Sequence, residues 1–218
     1  MTARRAAVVF DLDGTLLDSM PMILQMFGHA IHPFAQPLTE EAWRLHLGGP
    51  PRRILERVLA DASHVDQALV RLESYQRSHS KTIAAFEGMS AILEDLERVN
   101  LPVGLWTGRD RESTLELIEV HKMGRILRVC ICGDDLMTHK PDPEGLAVAL
   151  RGLDADPAES VFVGDSEVDV LAGAALGVRT VWITHGLTID STVGNQAWRI
   201  VNTPLEAYEV IRAEFMAG

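Results

Sequence analysis

The chain has 218 residues, 47% of them hydrophobic and 23% charged, with a formal net charge of -11. That is globular composition with ample material for a core, and it lacks the basic footprint of a nucleic-acid binder. No run approaches the roughly 18 apolar residues of a membrane helix, and Asp11 interrupts the opening apolar run too soon for a signal peptide.

Five short runs rich in apolar residues read as buried parallel strands: AAVVF (6–10), PVGLW (102–106), RVCIC (128–132), SVFVG (160–164) and RTVWI (179–183). Little polarity alternates within them, as expected where both sheet faces are covered. Helical patterns separate the later strands, at 88–99, 110–121, 143–151 and 166–176, and a last one covers 204–216. Gly177 is the C-terminal stop of 166–176, and Ser166 its N-terminal cap, with Glu167 favouring the dipole. Alternating strand and helix predicts an α/β, doubly wound, Rossmann-like parallel sheet of five or so strands.

One interval breaks the rhythm. Between the first two strands lie roughly ninety residues, where a single crossover helix needs about a dozen. They carry helical patterns at 20–32, 39–47, 51–61 and 65–81, punctuated by Pro33, Pro37, Gly48, Gly49, Pro50 and Pro51. The expected organisation is an α/β core of residues 1–17 and 85–218, with an all-helical insertion of residues 18–84 placed to act as a lid. Asp18, followed by Ser19 and Pro21, reads as the cap of the first inserted helix.

The polar residues collect at strand ends. AAVVF runs into Asp11 and Asp13 (DLDGT), PVGLW into Thr107, and SVFVG into Asp165 and Asp169 (GDSEVD); Lys140 (HKPDP) lies in the loop after RVCIC. Ligands of open parallel sheets bind outside the carboxyl ends of the strands, so these residues are expected to share one crevice. Two like charges about 4 Å apart repel by roughly 4 kcal/mol at an effective dielectric of 20. Such crowding calls for a hard divalent cation with oxygen ligands, and Mg2+ suits because it keeps waters and shares a phosphate. Cation, lysine, hydroxyl and backbone N–H groups form a phosphate-binding set, beside which a carboxylate can act as a nucleophile.

DLDGT, Thr107, Lys140 and GDSEVD in this order resemble the haloacid dehalogenase-like hydrolase superfamily, and the helical insertion sits where that superfamily places a cap. The resemblance implies a nucleophile at Asp11, forming an aspartyl-phosphate, and an acid and base at Asp13. It implies that Thr107 and the Gly108 amide hold the transferring oxygens and that Lys140 neutralises charge. It implies Mg2+ held by Asp11, Asp165 and the Asp13 carbonyl, with Asp169 acting through the metal's water or by holding Lys140. The second acid, Asp13, favours phosphate chemistry over halide displacement.

The expected activity is therefore Mg2+-dependent hydrolysis of a small-molecule phosphate ester, similar to the phosphoglycolate-phosphatase-like branch. A sugar-phosphate mutase and a non-catalytic phosphometabolite-binding protein are the alternatives. Arg52 and Arg53 in the insertion and Arg109 after the second strand are substrate-binding candidates. Arg109 departs from the Thr-Asn arrangement common in that branch; it is placed to reach the substrate's distal group or to pair with Asp110. Lys81 reads as a solvated surface group, and His185, in the loop ITHG after the fifth strand, as a surface or turn residue. Cys130 and Cys132 read as reduced core residues, because strand neighbours i and i+2 sit about 6–7 Å apart, too far for an easy disulfide. A cytoplasmic monomer or homodimer, with neither nucleic acid nor membrane as partner, fits these features.

Overall fold

The computed structural model describes residues 6–46 and 51–216; Gly48, Gly49 and Pro50 lie outside them. Among the described residues eight strands appear in chain order: β1 (Val8–Phe10), β2 (Leu17–Asp18), β3 (Ala84–Ala85), β4 (Val103–Trp106), β5 (Leu127–Ile131), β6 (Val161–Gly164), β7 (Arg179–Ile183) and β8 (Arg199–Val201). Six of them form a sheet in the order β5-β4-β1-β6-β7-β8, and every adjacent pair in it is parallel. β2 and β3 form a separate antiparallel ribbon, with Leu17 opposite Ala85 and Asp18 opposite Ala84.

β1 is central, and its run Ala7-Val8-Val9-Phe10 is fully buried. On one face Val9 packs with Trp106, Phe162 and Leu146, Ala149 and Leu150 of the helix Glu144–Gly152. On the other, Phe10 meets the ring of Tyr208 edge-on at a centroid distance of 6.4 Å, bringing in the C-terminal helix Pro204–Phe215. Alternating residues of one strand thus serve two cores, which is why the run shows no polar alternation. Gly145 permits the close approach of helix and strand: a Cβ there would lie 2.1 Å from Trp106 Nε1.

The chain divides into two compact units, Met1–Asp18 with Ala84–Gly218, and Ser19–Ile83. The second consists of the helices Met20–Ile31, Glu40–His46, Pro51–Val58 and Val65–His79. Its own core holds Phe27 and Trp43, with ring centroids 5.4 Å apart, and Met26, Ile31, Leu55 and Leu72. No described helix is long and apolar enough to cross a membrane.

Two differences from the sequence reading have physical causes. Asp18 caps no helix: its backbone is drawn into β2 against Ala84, and Ser19 takes the N-cap position without a side-chain hydrogen bond. β8 was not expected, because its short run Arg-Ile-Val sits at the sheet's edge and is largely exposed. The reading of two reduced cysteines holds: Cys130, half-buried, and Cys132, buried, are free thiols, although their sulfurs lie 3.5 Å apart. The spacing of their backbone positions does not limit sulfur atoms that rotate toward each other.

Candidate active site

The loops after β1, β4, β5 and β6 converge at the carboxyl edge of the sheet. Asp11 extends β1 by one residue, its N–H donating to Val163 O at 2.8 Å. The chain then turns back on itself: Leu16 and Leu17 N–H groups both donate to Leu12 O, and Gly14 N–H donates to Leu17 O. Gly14 sits at φ +75, and a Cβ on it would lie 2.0 Å from Asp165 Oδ2. The turn therefore needs glycine twice, for its left-handed backbone and for the carboxylate seated against it.

Lys140 joins two of the acids. Its Nζ donates to Asp11 Oδ1 at 2.7 Å and lies 2.7 Å from Asp169 Oδ1, with the lysine side chain only 11% exposed. The rings of Trp106 and Phe162 flank the ammonium at 4.9 and 5.3 Å. Burial works against the charge on Lys140, but Asp11 and Asp169 outweigh it and hold the amine protonated beyond the ordinary lysine range. Asp169 is fixed from its other side, since Oδ2 accepts from Ser166 N–H at 3.0 Å and from Ser166 Oγ at 2.7 Å. Ser166 does cap the helix Glu167–Leu176, as its sequence suggested, and Asp169 answers it from the first turn.

Asp165 is the acid left over. Among the described residues its carboxylate has no hydrogen-bond or ion-pair partner, while its carbonyl accepts from Trp182 Nε1 at 3.2 Å. Burial, reinforced by Asp11 and Asp169, pushes its pKa well above the usual 3.8. Asp11 is likewise pushed up to about 7, chiefly by burial and against the pull of Lys140. Oxygens of Asp11, Asp165 and Asp169 all lie within 4.8 Å of one another. One ammonium against these three carboxylates leaves a double negative charge when all are ionised. An all-oxygen donor set with that charge deficit fits a hard divalent cation.

Thr107 is buried, its N–H donating to Ile131 O at 3.0 Å and its Oγ1 accepting from Arg109 N–H at 3.1 Å. Gly108 beside it is exposed. The Asp13 side chain stands apart from the acid cluster and is taken by Arg109, through Nε to Oδ2 at 3.0 Å and Nη2 to Oδ1 at 2.7 Å. Of the two destinations open to Arg109 in the sequence, neither was Asp13. Asp110 instead caps the helix Arg111–Val120, accepting from Ser113 N–H.

The structure thus brings Asp11, Asp13, Thr107, Gly108, Arg109, Lys140, Asp165 and Asp169 to one sheet edge. Arg52 and Arg53 belong to the other unit; Arg53 is exposed, and Arg52 forms an exposed 2.7 Å ion pair with Asp66. Trp106 and Phe162 read as core residues, and nothing in the sequence marked them as neighbours of Lys140. His185, read as a surface or turn residue, approaches Gly14 O with Nε2 at 2.7 Å and stacks on Phe86. Its position in the loop directly after β7 was the signal available.

Known proteins share this arrangement of chain and fold. Phosphoglycolate phosphatase 1 of Pseudomonas aeruginosa is 32% identical over 204 residues, spanning 89% of this chain and 75% of that protein. The N-acetylmuramic acid 6-phosphate phosphatase of Pseudomonas putida is 31% identical over 95% of this chain and 96% of its own length. A solved haloacid dehalogenase-like family hydrolase from Streptococcus pneumoniae superposes with a TM-score of 0.81 at 21% identity, covering 96% of this chain and 100% of that one. The family model described as haloacid dehalogenase-like hydrolase matches residues 8–183, a span that begins with β1 and ends with β7. With the acids, the lysine and the sheet order all in place, the chain belongs to the haloacid dehalogenase-like hydrolase family.

Proposed function

We propose that this hydrolase is a Mg2+-dependent phosphatase of small phosphorylated metabolites, working through an aspartyl-phosphate on Asp11. The observation that carries the reading is Lys140 bridging Asp11 and Asp169 beside Asp165, whose carboxylate has no partner among the described residues. Lys140 engages Oδ1 of Asp11, which leaves Oδ2 to attack phosphorus in line with the leaving oxygen. Thr107 Oγ1 is already an acceptor from Arg109 N–H, so its own proton is free for a phosphoryl oxygen, with the Gly108 N–H beside it. Asp13 protonates the leaving oxygen and then draws a proton from the water that hydrolyses the intermediate.

Asp11, Asp165 and the Asp13 carbonyl would hold the cation, and Asp169 serves by fixing Lys140. Bound Mg2+ supplies the positive charge that lets these acids and a phosphate dianion share one crevice. Ser19–Ile83 takes the role of the family's helical cap, and Arg52 and Arg53 are its candidates for the substrate's anionic groups. The named relatives make phosphoglycolate and N-acetylmuramic acid 6-phosphate the first compounds to try.

The test is a screen of phosphorylated metabolites for released inorganic phosphate, with and without Mg2+, using Asp11→Asn as control. Release that needs Mg2+ and Asp11 supports the reading. Undiminished release by the Asn variant would sink the aspartyl-phosphate mechanism. An isomerised sugar phosphate without released phosphate would point to the mutase alternative.

A further inference from the structure

Asp13 and Arg109 stand on neighbouring loops at matching depth. β1 and β4 are adjacent and parallel, with Phe10 opposite Leu105, so the residues just beyond each strand arrive at the same edge. The Arg109 side chain is 7% exposed and that of Asp13 25%. Exposed ion pairs fix little, but this one is forked and mostly shielded, which sets direction as well as distance. The arginine backbone is held in turn: its N–H donates to Thr107 Oγ1 at 3.1 Å and its carbonyl accepts from Gly133 N–H at 2.7 Å. Gly133 leaves no slack, since a Cβ there would lie 2.2 Å from Gly108 O.

We propose that Arg109 is a positioning residue for the acid–base step, holding the Asp13 carboxylate at a fixed angle and away from the other cation of the crevice. This rests on the assignment of Asp13 as acid and base. Asp13 lies two positions from Asp11, and an unrestrained carboxylate there is attracted to Lys140. Arg109 gives Asp13 a cation of its own and leaves Lys140 to Asp11 and Asp169. The fork occupies one acceptor site on each Asp13 oxygen, and each oxygen keeps a second. The proton can therefore travel without the fork opening. As Asp11 Oδ2 bonds to phosphorus and the ester P–O bond breaks, the broken bond's electron pair stays on the leaving oxygen, which takes the Asp13 proton. In the second half Asp13 takes a proton from water, the water oxygen bonds to phosphorus, and the Asp11–phosphorus electron pair returns to Asp11.

The experiment compares first-turnover rates on p-nitrophenyl phosphate, whose phenolate departs without protonation, and on an alkyl phosphate taken from the screen. For Arg109→Ala the alkyl phosphate should slow by about 10²-fold and the aryl ester by less than about 5-fold, the signature of a misplaced general acid. KM and competitive inhibition by inorganic phosphate should move little, and added guanidinium should restore part of the alkyl phosphate rate. Arg109→Lys, which keeps the charge and loses the fork, should fall between; its equality with the unaltered protein overturns the proposal, and it serves alone if the Ala variant does not fold. Equal losses on both esters overturn it, as does a rise of about tenfold in KM and in the phosphate inhibition constant at unchanged turnover, which would make Arg109 a substrate ligand. Asp13→Asn on the same esters separates the two layers. Without a leaving-group difference there, the acid role itself fails. With one there but none in the arginine variants, only the role of Arg109 fails.

Discussion

Lys140 and Asp11, 129 positions apart in the chain, meet as a hydrogen-bonded ion pair of 2.7 Å. The same ammonium reaches Asp169, so one cation serves the proposed nucleophile and a second acid. Removing it as Lys140→Met should cut kcat by about 10²–10³-fold, the usual loss when a fixed charge near the reacting group goes. Lys140→Arg should not rescue the rate, because Trp106 and Phe162 enclose the ammonium at 4.9 and 5.3 Å. Steady-state kinetics, with circular dichroism to show the fold retained, checks both.

Gly14→Ala adds one methyl in the wrong place. The left-handed backbone costs roughly 1–2 kcal/mol for a residue with a Cβ, and the carboxylate of Asp165 occupies the space. Asp165 must shift, and Mg2+ affinity should weaken about 10–100-fold, the range seen when support around a metal ligand is disturbed. Titration calorimetry with Mg2+ measures it; unchanged affinity would show that Asp165 does not hold the ion.

Stability without the metal should fall as pH rises through neutrality. Asp11 is raised to about 7 and Asp165 well above 3.8. Each therefore binds a proton in the folded chain at a pH where the unfolded chain has lost it. Their contribution is complete below the unfolded value and is lost as pH climbs through the folded one. Mg2+ competes with those protons, so its stabilising shift in Tm should be larger at about pH 8 than at about pH 5.5. Thermal melts with Mg2+ or a chelator test this, and an equal shift at both pH values contradicts it.

Tyr208→Phe probes the support beneath the turn. The phenol, fully buried, donates to Thr15 O at 2.7 Å across 193 positions of sequence. Without it that carbonyl is left buried and unpaired, and stability should drop by about 1–3 kcal/mol. Urea denaturation gives the number.

Much of this could be read from residue order. The apolar runs ending in Asp11, Thr107 and Asp165 carried the parallel sheet and its edge, because strands buried on both faces leave an uninterrupted apolar signature. Asp18 misled, since a carboxylate before Ser19 and Pro21 has the composition of a cap, and only pairing with Ala84, far off in sequence, draws it into a strand. The partner of Arg109 was invisible for a related reason. Asp110 is next to it in sequence, whereas Asp13 becomes its neighbour only through the register of β1 on β4. Arg111 and Asp135, joined across a loop, are a further pair of that kind.

The distances along the chain carry a consequence for synthesis. Asp11 emerges from the ribosome early, Lys140 much later, and Asp169 later again, while the phenol that props the turn is at position 208. A nascent chain that stops just short of Asp169 already holds Asp11 and Lys140 but lacks the third acid that completes the lysine bridge. Long-range closures of this kind are slow relative to local helix formation. Regained turnover after denaturation should therefore report closure of the strands that carry these residues rather than return of the helices.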